Sequence, residues 1–248
     1  MMDDAKLQLQ ALLPPAIRHR SWIDDMALRQ HDLAPRDLLF RPDGSPQRLY
    51  FVAKGWLHGT TALSERLRPI STLRIRGDMI GLSWIDRPNR LEDVSAITHA
   101  ELISVQAEEF RDAMRQDPEL QAFAFDELVR DMMNLRMMSA VVGHMKAPDR
   151  LAYFLFIMLN RCRRTYQTRL NTLSLPMTQE EIGRILGLTN VSVNRAFRSL
   201  ETDGLIQTGR QAVTFLDEDR FARRFDMHDR AELINQLVGS RLGSIQAA

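Results

Sequence analysis

The sequence predicts an α+β fold with an N-terminal antiparallel β-barrel or jelly roll, a long middle helix and a C-terminal winged helix-turn-helix. Three observations lead to this prediction. Short apolar runs separated by Gly- and Pro-bearing turns fill residues 36–106. Apolar residues then recur at helical spacing from 118 to about 145. Two short helical patterns joined by a glycine, followed by a hairpin pattern, fill 178–215.

The composition is that of a globular protein without disulfides or membrane spans. The 248 residues suffice for two modest domains, and 44% of them are hydrophobic. No apolar run reaches the roughly 18 residues of a membrane helix, and the N-terminus lacks the pattern of a secretory signal. The single cysteine, Cys162, cannot form an internal disulfide, and an iron–sulfur cluster needs about four cysteines. We therefore expect a cytoplasmic protein with no membrane partner.

Positive charge is concentrated in the C-terminal part of the chain. The formal net charge is only +1, but residues 146–215 carry 10 Lys and Arg against 5 Asp and Glu, a local charge of +5. A basic segment of this kind suits contacts to nucleic-acid phosphates.

Residues 36–106 have the pattern of a small all-β domain. Apolar runs at 38–40, 49–52 and 102–105 alternate with turn sequences such as Pro42-Asp43-Gly44-Ser45-Pro46 and Arg76-Gly77-Asp78. Many short strands at this spacing are typical of an antiparallel barrel or sandwich.

The next segment predicts a helix with two apolar faces. One face is a seam whose members lie alternately three and four residues apart, as in a heptad repeat. We expect this seam to bind a second copy of the chain, while a second face, with Met133, Met137 and Val141, packs against its own domain. The alternative is an amphipathic helix buried within a monomer. The seam consists of Phe125, Leu128, Met132, Leu135, Ser139 and Val142.

Ala147-Pro148-Asp149 is expected to break this helix. Asp149 then becomes the N-cap of a further helix from Arg150 to about Arg164.

The helix-turn-helix prediction begins with a capping box, Thr178-Gln179-Glu180-Glu181. This pattern starts a helix at 179–186, Gly187 allows a tight turn, and Thr189 caps a second helix at 190–200. The residues expected to be buried are Ile182, Ile185 and Leu186 of the first helix and Val193, Ala196, Phe197 and Leu200 of the second.

The outer face of the second helix carries side chains that read DNA. Arginine can bind both major-groove acceptors of guanine, asparagine can pair with adenine, and serine contacts bases or phosphates. No Asp or Glu occurs from 190 to 200, so nothing on this helix repels the DNA backbone. The residues concerned are Asn190, Ser192, Asn194, Arg195, Arg198 and Ser199.

A hairpin is predicted directly after this pair of helices. Residues 205–207 and 212–215 flank Thr208-Gly209-Arg210-Gln211, which places Arg210 near the tip of a wing. The alternative is a winged helix that makes only protein contacts.

The string MTQEEIGRILGLTNVSVNRAFRSLETDGLI resembles the DNA-binding signature of the superfamily of cyclic-AMP receptor and fumarate–nitrate regulators (Crp–Fnr). The resemblance extends over roughly 36–225. It implies a cyclic-nucleotide-binding-domain-like jelly roll, a dimerisation helix and a winged helix-turn-helix. It also implies a bacterial transcription regulator that binds a palindromic site as a homodimer and contacts RNA polymerase.

The same resemblance implies roles for single residues. Arg195 falls on the family's main guanine-reading arginine. Asn190 and Val191 fall on two variable base-reading positions, and Val191 stands where an acidic residue is common. Asn194, before Arg195, is similar to the pattern of FixK-like regulators. The positions that contact phosphate or the DNA backbone are Thr178, Gln179, Thr189, Ser192, Arg198 and Arg210.

Departures from the family pattern concern the effector. Cyclic-nucleotide binders have Gly-Glu and then Arg-Ser or Arg-Thr, whereas here Gly81 precedes Leu82 and Arg90 precedes Leu91. The resemblance therefore argues against cyclic AMP, and we expect no cofactor, although a haem-binding branch stays open. For Cys162 both a core cysteine and a redox-sensitive thiol remain open.

The expected domains are a barrel with flanking helices (1–117), the dimerisation helix (118–146), the winged helix-turn-helix (147–225) and a helical tail (226–248). Three hypotheses follow: a regulator without a small ligand, a regulator whose effector binds the barrel, and an enzyme. The sequence lacks a Gly-x-Ser-x-Gly, Walker or His-Glu-x-x-His motif, so we expect no enzyme.

Overall fold

The computed structural model of this protein describes residues 2–40, 48–65, 67–85, 92–166 and 171–225. Contacts divide the chain into two units, residues 1–131 and 132–248. The predicted turn at 42–46 and the expected tail at 226–248 lie outside the described residues.

Within the described part of the first unit, eight antiparallel strands form two four-stranded sheets. The strands are β1 (Arg29–Leu33), β2 (Leu38–Phe40), β3 (Arg48–Lys54), β4 (Trp56–Thr60), β5 (Ile70–Ile75), β6 (Met79–Ile80), β7 (Asp93–Ala96) and β8 (Ala100–Gln106). Their orders are β1-β8-β3-β6 and β2-β7-β4-β5, which is jelly-roll topology. Among the described residues no strand pairing joins the two sheets, so the predicted barrel is a jelly-roll sandwich rather than a closed cylinder.

The central strand β3 is covered on both faces. Successive side chains of a strand point to opposite faces. Leu49 and Phe51 accordingly join a core with helices α1 (Met2–Leu12) and α3 (Ala107–Gln116), whereas Tyr50 and Val52 join the core of the sandwich. Burial on both faces explains why the sequence of β3 is almost continuously apolar.

Strand β1 was not predicted. Its sequence, Arg29-Gln30-His31-Asp32-Leu33, has no buried position. Among the strands that the structure describes, it pairs only with β8, at the edge of its sheet. Exposed edge strands lack the alternation of apolar and polar residues on which the prediction relied. A short helix, α2 (Trp22–Asp25), precedes it.

Two long helices follow the jelly roll. Helix α4 spans Pro118–His144, and α5 spans Ala147–Tyr166. The prediction that Asp149 caps α5 was wrong, because the amide of Arg150 donates to the carbonyl of Lys146 at 2.9 Å and the helix starts at Ala147. Pro148 is tolerated in the first turn, because amides there have no partner within the helix and its missing N–H costs no hydrogen bond. The negative charge of Asp149 in the same turn interacts favourably with the helix dipole.

The rest of the second unit consists of short elements around an aromatic core. These are β9 (Thr172–Ser174), α6 (Gln179–Leu186), α7 (Asn190–Thr202), β10 (Ile206–Gly209), β11 (Ala212–Phe215) and α8 (Glu218–Arg224). Phe221 of α8 lies with ring centroids 6.1 Å from Phe156 and 4.8 Å from Phe215. Of the helices that the structure describes, none is long and apolar enough to cross a membrane.

Candidate nucleic-acid interface

The capping box at the start of α6 is formed. The Thr178 hydroxyl accepts from the Glu181 amide at 3.2 Å, and the Glu181 carboxylate accepts from the Thr178 amide at 2.7 Å. Thr178 is exposed and Gln179 is half-buried. The predicted bounds of α6 are confirmed, and Ile182 and Leu186 are buried as expected, while Ile185 is only half-buried.

The turn between α6 and α7 depends on two glycines. Gly187 has φ +63°, in the left-handed region that glycine favours. Gly183 was not singled out by the sequence analysis, yet a Cβ there would lie 2.5 Å from the carbonyl oxygen of Leu188. The amide of Leu188 also donates to the carbonyl of Gly183 at 2.9 Å. A side chain at position 183 would therefore push the turn away from α6.

Helix α7 separates a buried side from an exposed side. Thr189 caps it by accepting from the Ser192 amide at 3.2 Å. All four residues predicted to face inward are buried, and the helix runs two residues past its predicted end, to Thr202. Asn190, Val191, Arg195, Arg198 and Ser199 are exposed, while Ser192 and Asn194 are half-buried. We call the exposed side the reading face; it carries two arginines and no carboxylate.

Asn194 links the two helices of the motif. Its side-chain amide donates to the Oε1 of Gln179 at 3.3 Å. Both residues were predicted to contact DNA. The bond between them was not predicted, because they lie 15 positions apart on different helices.

A two-residue turn closes the wing. Strands β10 and β11 pair from Ile206–Phe215 to Gly209–Ala212, and β9 completes a three-stranded sheet. Arg210 and Gln211 form the tip, with Gln211 at φ +57° and Arg210 exposed. The Glu201 carboxylate at the end of α7 accepts from the Thr208 amide at 3.1 Å. This bond holds the wing against the helix.

Arg150 joins the ends of α4 and α6. Its Nε donates to the carbonyl of Met145 at 2.8 Å, and its Nη1 donates to the carbonyl of Leu186 at 3.0 Å. Carbonyls at helix C-termini lack intrahelical partners and attract cations. Arg150 therefore fixes the start of α5 to the motif, a role that no local sequence pattern indicated.

The seam of α4 is uncovered along most of its length. Phe125 is 65% exposed, Leu128 37%, Met132 41% and Leu135 51%, and Ser139 is also exposed. Val142 departs from this pattern: it is half-buried, and its Cγ1 lies 3.5 Å from the place of a Cβ on Gly187. On the other face, Ala124 and Val141 are buried.

The position where a cyclic-nucleotide binder has glutamate is filled by a core residue. Gly81 has φ +107°, and the Leu82 side chain that follows it is buried in the core beside α1 and α3. Arg90 and Leu91 lie outside the described residues. By the family resemblance, Leu82 stands in place of the glutamate that holds a ribose, and its side chain offers no hydrogen bond.

Carboxylates surround the buried Arg74, which interacts electrostatically with Asp131, Asp78 and Glu92. Nη1 of Arg74 donates to both oxygens of Asp131, at 2.7 and 2.8 Å. Glu92, buried, accepts from Thr72 at 2.8 Å. Burial raises the pKa of Glu127 to about 7, Asp78 and Asp131 add to this, and its ion pair with Arg130 opposes it. These carboxylates would repel an anion placed next to Arg74.

Cys162 is half-buried on α5. This exposure leaves both of its sequence-based interpretations open. No group of three or more His, Cys, Asp or Glu side chains within the described ranges is arranged to hold a metal ion.

Two family models match the chain. Residues 30–117 match the cyclic nucleotide-binding domain, and residues 149–224 match the Crp-like helix-turn-helix domain.

Two relatives and one solved structure are similar to most of the chain. The transcriptional regulatory protein btr of Bordetella pertussis is 27% identical over 179 residues, which cover 72% of this chain and 74% of that protein. The nitrogen fixation regulation protein FixK of Azorhizobium caulinodans is 25% identical over 76% of this chain and 75% of its own length. The structure of FixK2 from Bradyrhizobium japonicum has a TM-score of 0.70 at 22% identity, covering 79% of this chain and 96% of that one.

Proposed function

The chain belongs to the Crp–Fnr superfamily of DNA-binding transcription regulators, and we propose that it binds a palindromic DNA site as a homodimer without a cyclic nucleotide. The observation that carries the proposal is the reading face of α7. There Arg195 and Arg198 are exposed opposite a fully buried stripe, on a helix whose first turn has no acidic residue. A helix of this kind enters the major groove with its N-terminal residues at the base edges.

Arg195 is the proposed guanine reader, and Asn190 and Val191 are the other base-reading residues. Arg198, Arg210, Thr178, Gln179, Thr189 and Ser192 contact the DNA backbone, and Asn194 lies beside Arg195 while bonded to Gln179. Phosphate contacts set the position of the protein on DNA, and base contacts set its sequence preference. Substitutions of the two groups should therefore have different effects.

A second copy of this chain is the proposed partner of the seam on α4. Four large apolar side chains at heptad spacing stay exposed in the single chain. Covering such a seam with a like helix is favourable because it buries these side chains. Two-fold symmetry of the dimer calls for two half-sites about one helical turn apart. Contact with RNA polymerase, action in the cytoplasm and the absence of enzymatic activity complete the proposal and rest on family membership.

Operation without cyclic AMP is favoured by Leu82 and by the carboxylates around Arg74. The alternative is a regulator switched by another ligand, or by haem, in the jelly roll. The affinity of the purified protein for its selected site distinguishes a regulator without a ligand from a ligand-switched one. It is measured at one fixed salt concentration. Binding only in the non-specific range of roughly 10⁻⁴–10⁻⁶ M would favour a missing effector.

Selection from random duplexes tests the central proposal. We expect a palindrome, and Arg195→Ala should lose about 1–3 kcal/mol of discrimination at one base pair of each half-site. Arg198→Ala should instead weaken binding to all sequences and lower the salt dependence. Arg115→Ala, at an exposed arginine of α3, is the matched control and should change neither. Recovery of no palindrome, or equal enrichment by Arg195→Ala, would contradict the assignment.

A further inference from the structure

The reading face carries one apolar side chain, Val191, which is 61% exposed. Successive helix positions are rotated by about 100°. On this spacing Val191 points about 170° away from the centre of the buried stripe formed by Val193, Ala196, Phe197 and Leu200. Arg198 and Arg195 flank the same direction. Val191 therefore occupies the middle of the surface that meets DNA.

Nothing in helix α7 itself accounts for a valine at this position. Val191 is the second residue after the Thr189 cap, whereas an apolar staple to the residue before a cap is made from the fourth. A β-branched side chain on an exposed helix surface also lowers helix propensity relative to alanine. Most of the Val191 side chain is exposed, so packing within the chain gives little reason for a valine there.

In the major groove a valine can distinguish two pyrimidines. Thymine presents a 5-methyl group there, which an apolar side chain can cover, and cytosine presents an amino donor, which valine cannot accept. Covering an unpaired donor costs free energy, so cytosine is penalised as well as unrewarded. We propose that Val191 selects thymine through its 5-methyl group. This inference rests on the proposed function, in which α7 lies in the major groove.

The geometry of α7 also predicts where the thymine lies. Val191 and Arg195 are separated by one turn, about 6 Å along the helix axis, whereas base pairs are about 3.4 Å apart. The thymine should therefore lie one or two base pairs from the guanine that Arg195 reads.

A deoxyuridine scan of the selected site tests the proposal. Each thymine is replaced in turn by deoxyuridine, which removes only the 5-methyl group, and the affinities of the wild type and Val191→Ser are compared. At one position per half-site we expect the wild type to lose about fourfold in affinity, and Val191→Ser to lose less than about twofold. Val191→Glu should shift the selected base at that position from thymine to cytosine, because a carboxylate accepts from the cytosine amino group.

The outcomes separate this inference from the function on which it rests. A palindrome that needs Arg195, combined with equal deoxyuridine losses in the wild type and Val191→Ser, would overturn the role of Val191 alone. Failure to select any palindrome would overturn both. Since Val191 is exposed, thermal unfolding of both variants should match the wild type, which excludes misfolding as the cause of a changed preference.

Discussion

Substitution of Leu135 tests the proposed dimer without altering any residue assigned to DNA. Leu135 is 51% exposed in the single chain, and complete burial of a leucine side chain contributes about 1.5–3 kcal/mol. Covering its exposed half should thus contribute about 0.8–1.5 kcal/mol in each protomer, or about 1.5–3 kcal/mol in the dimer. Leu135→Ala should raise the dimer dissociation constant about ten- to a hundredfold.

Sedimentation equilibrium over a range of protein concentrations measures this constant directly. The matched control is Leu7→Ala, which removes the same atoms from a leucine of α1 that is 63% exposed but lies outside the seam. Alanine is the best helix former, so circular dichroism should show unchanged helix content in both variants. Equal dissociation constants for the wild type and Leu135→Ala, or equal weakening by Leu7→Ala, would refute the assignment of the seam.

Three further predictions concern two contributions to stability and the turn of the helix-turn-helix. The neutral Glu127 carboxyl stabilises the fold below about pH 4.5, and this stabilisation is lost as the pH rises through its pKa of about 7. The free energy of unfolding of the wild type relative to Glu127→Gln should therefore fall by roughly 3 kcal/mol between pH 4.5 and 8; urea titrations that show a constant difference would contradict this. Arg150→Ala should cost about 2–3 kcal/mol because two charged hydrogen bonds to helix ends are lost, and unchanged urea unfolding would exclude that role. Gly183→Ala should abolish specific DNA binding in a mobility-shift assay. The control Gly143→Ala, where a Cβ meets nothing within 4 Å, should bind DNA normally and gain up to about 1 kcal/mol of stability. Normal DNA binding by Gly183→Ala would contradict the close contact proposed at the turn.

The DNA-binding motif was predictable because its determinants are local. The Thr178 capping box, the left-handed Gly187 and the Thr189 cap each act within about four residues, and the buried stripe of α7 follows the 3.6-residue repeat. The hairpin of the wing also closes over two residues. The heptad spacing of α4 likewise identified an apolar seam, and the structure shows that most of it is exposed.

The start of α5 was predicted wrongly because two local sequence signals competed there. Asp149 is a good cap residue, but the helix extends past it to Ala147 because proline and acidic residues are both favourable in a first turn. Val142 continues the heptad and is half-buried near Gly187, and its place in the dimer seam stays a prediction.

The sequence by itself determined the parts whose contacts are close along the chain: the helix-turn-helix, its wing, the long helix and the strand-rich character of residues 36–106. Tertiary structure alone decided the pairing of β1 with β8, the inward direction of Leu82 and the contact between Arg74 and Asp131, which are 57 residues apart. The physical reason is that caps and helical periodicity depend on neighbouring residues, whereas strand partners and buried ion pairs depend on which distant segments the fold brings together. Arg195 and Val191 could be named from sequence, but their exposure on one face, opposite a complete buried stripe, became known only from the fold.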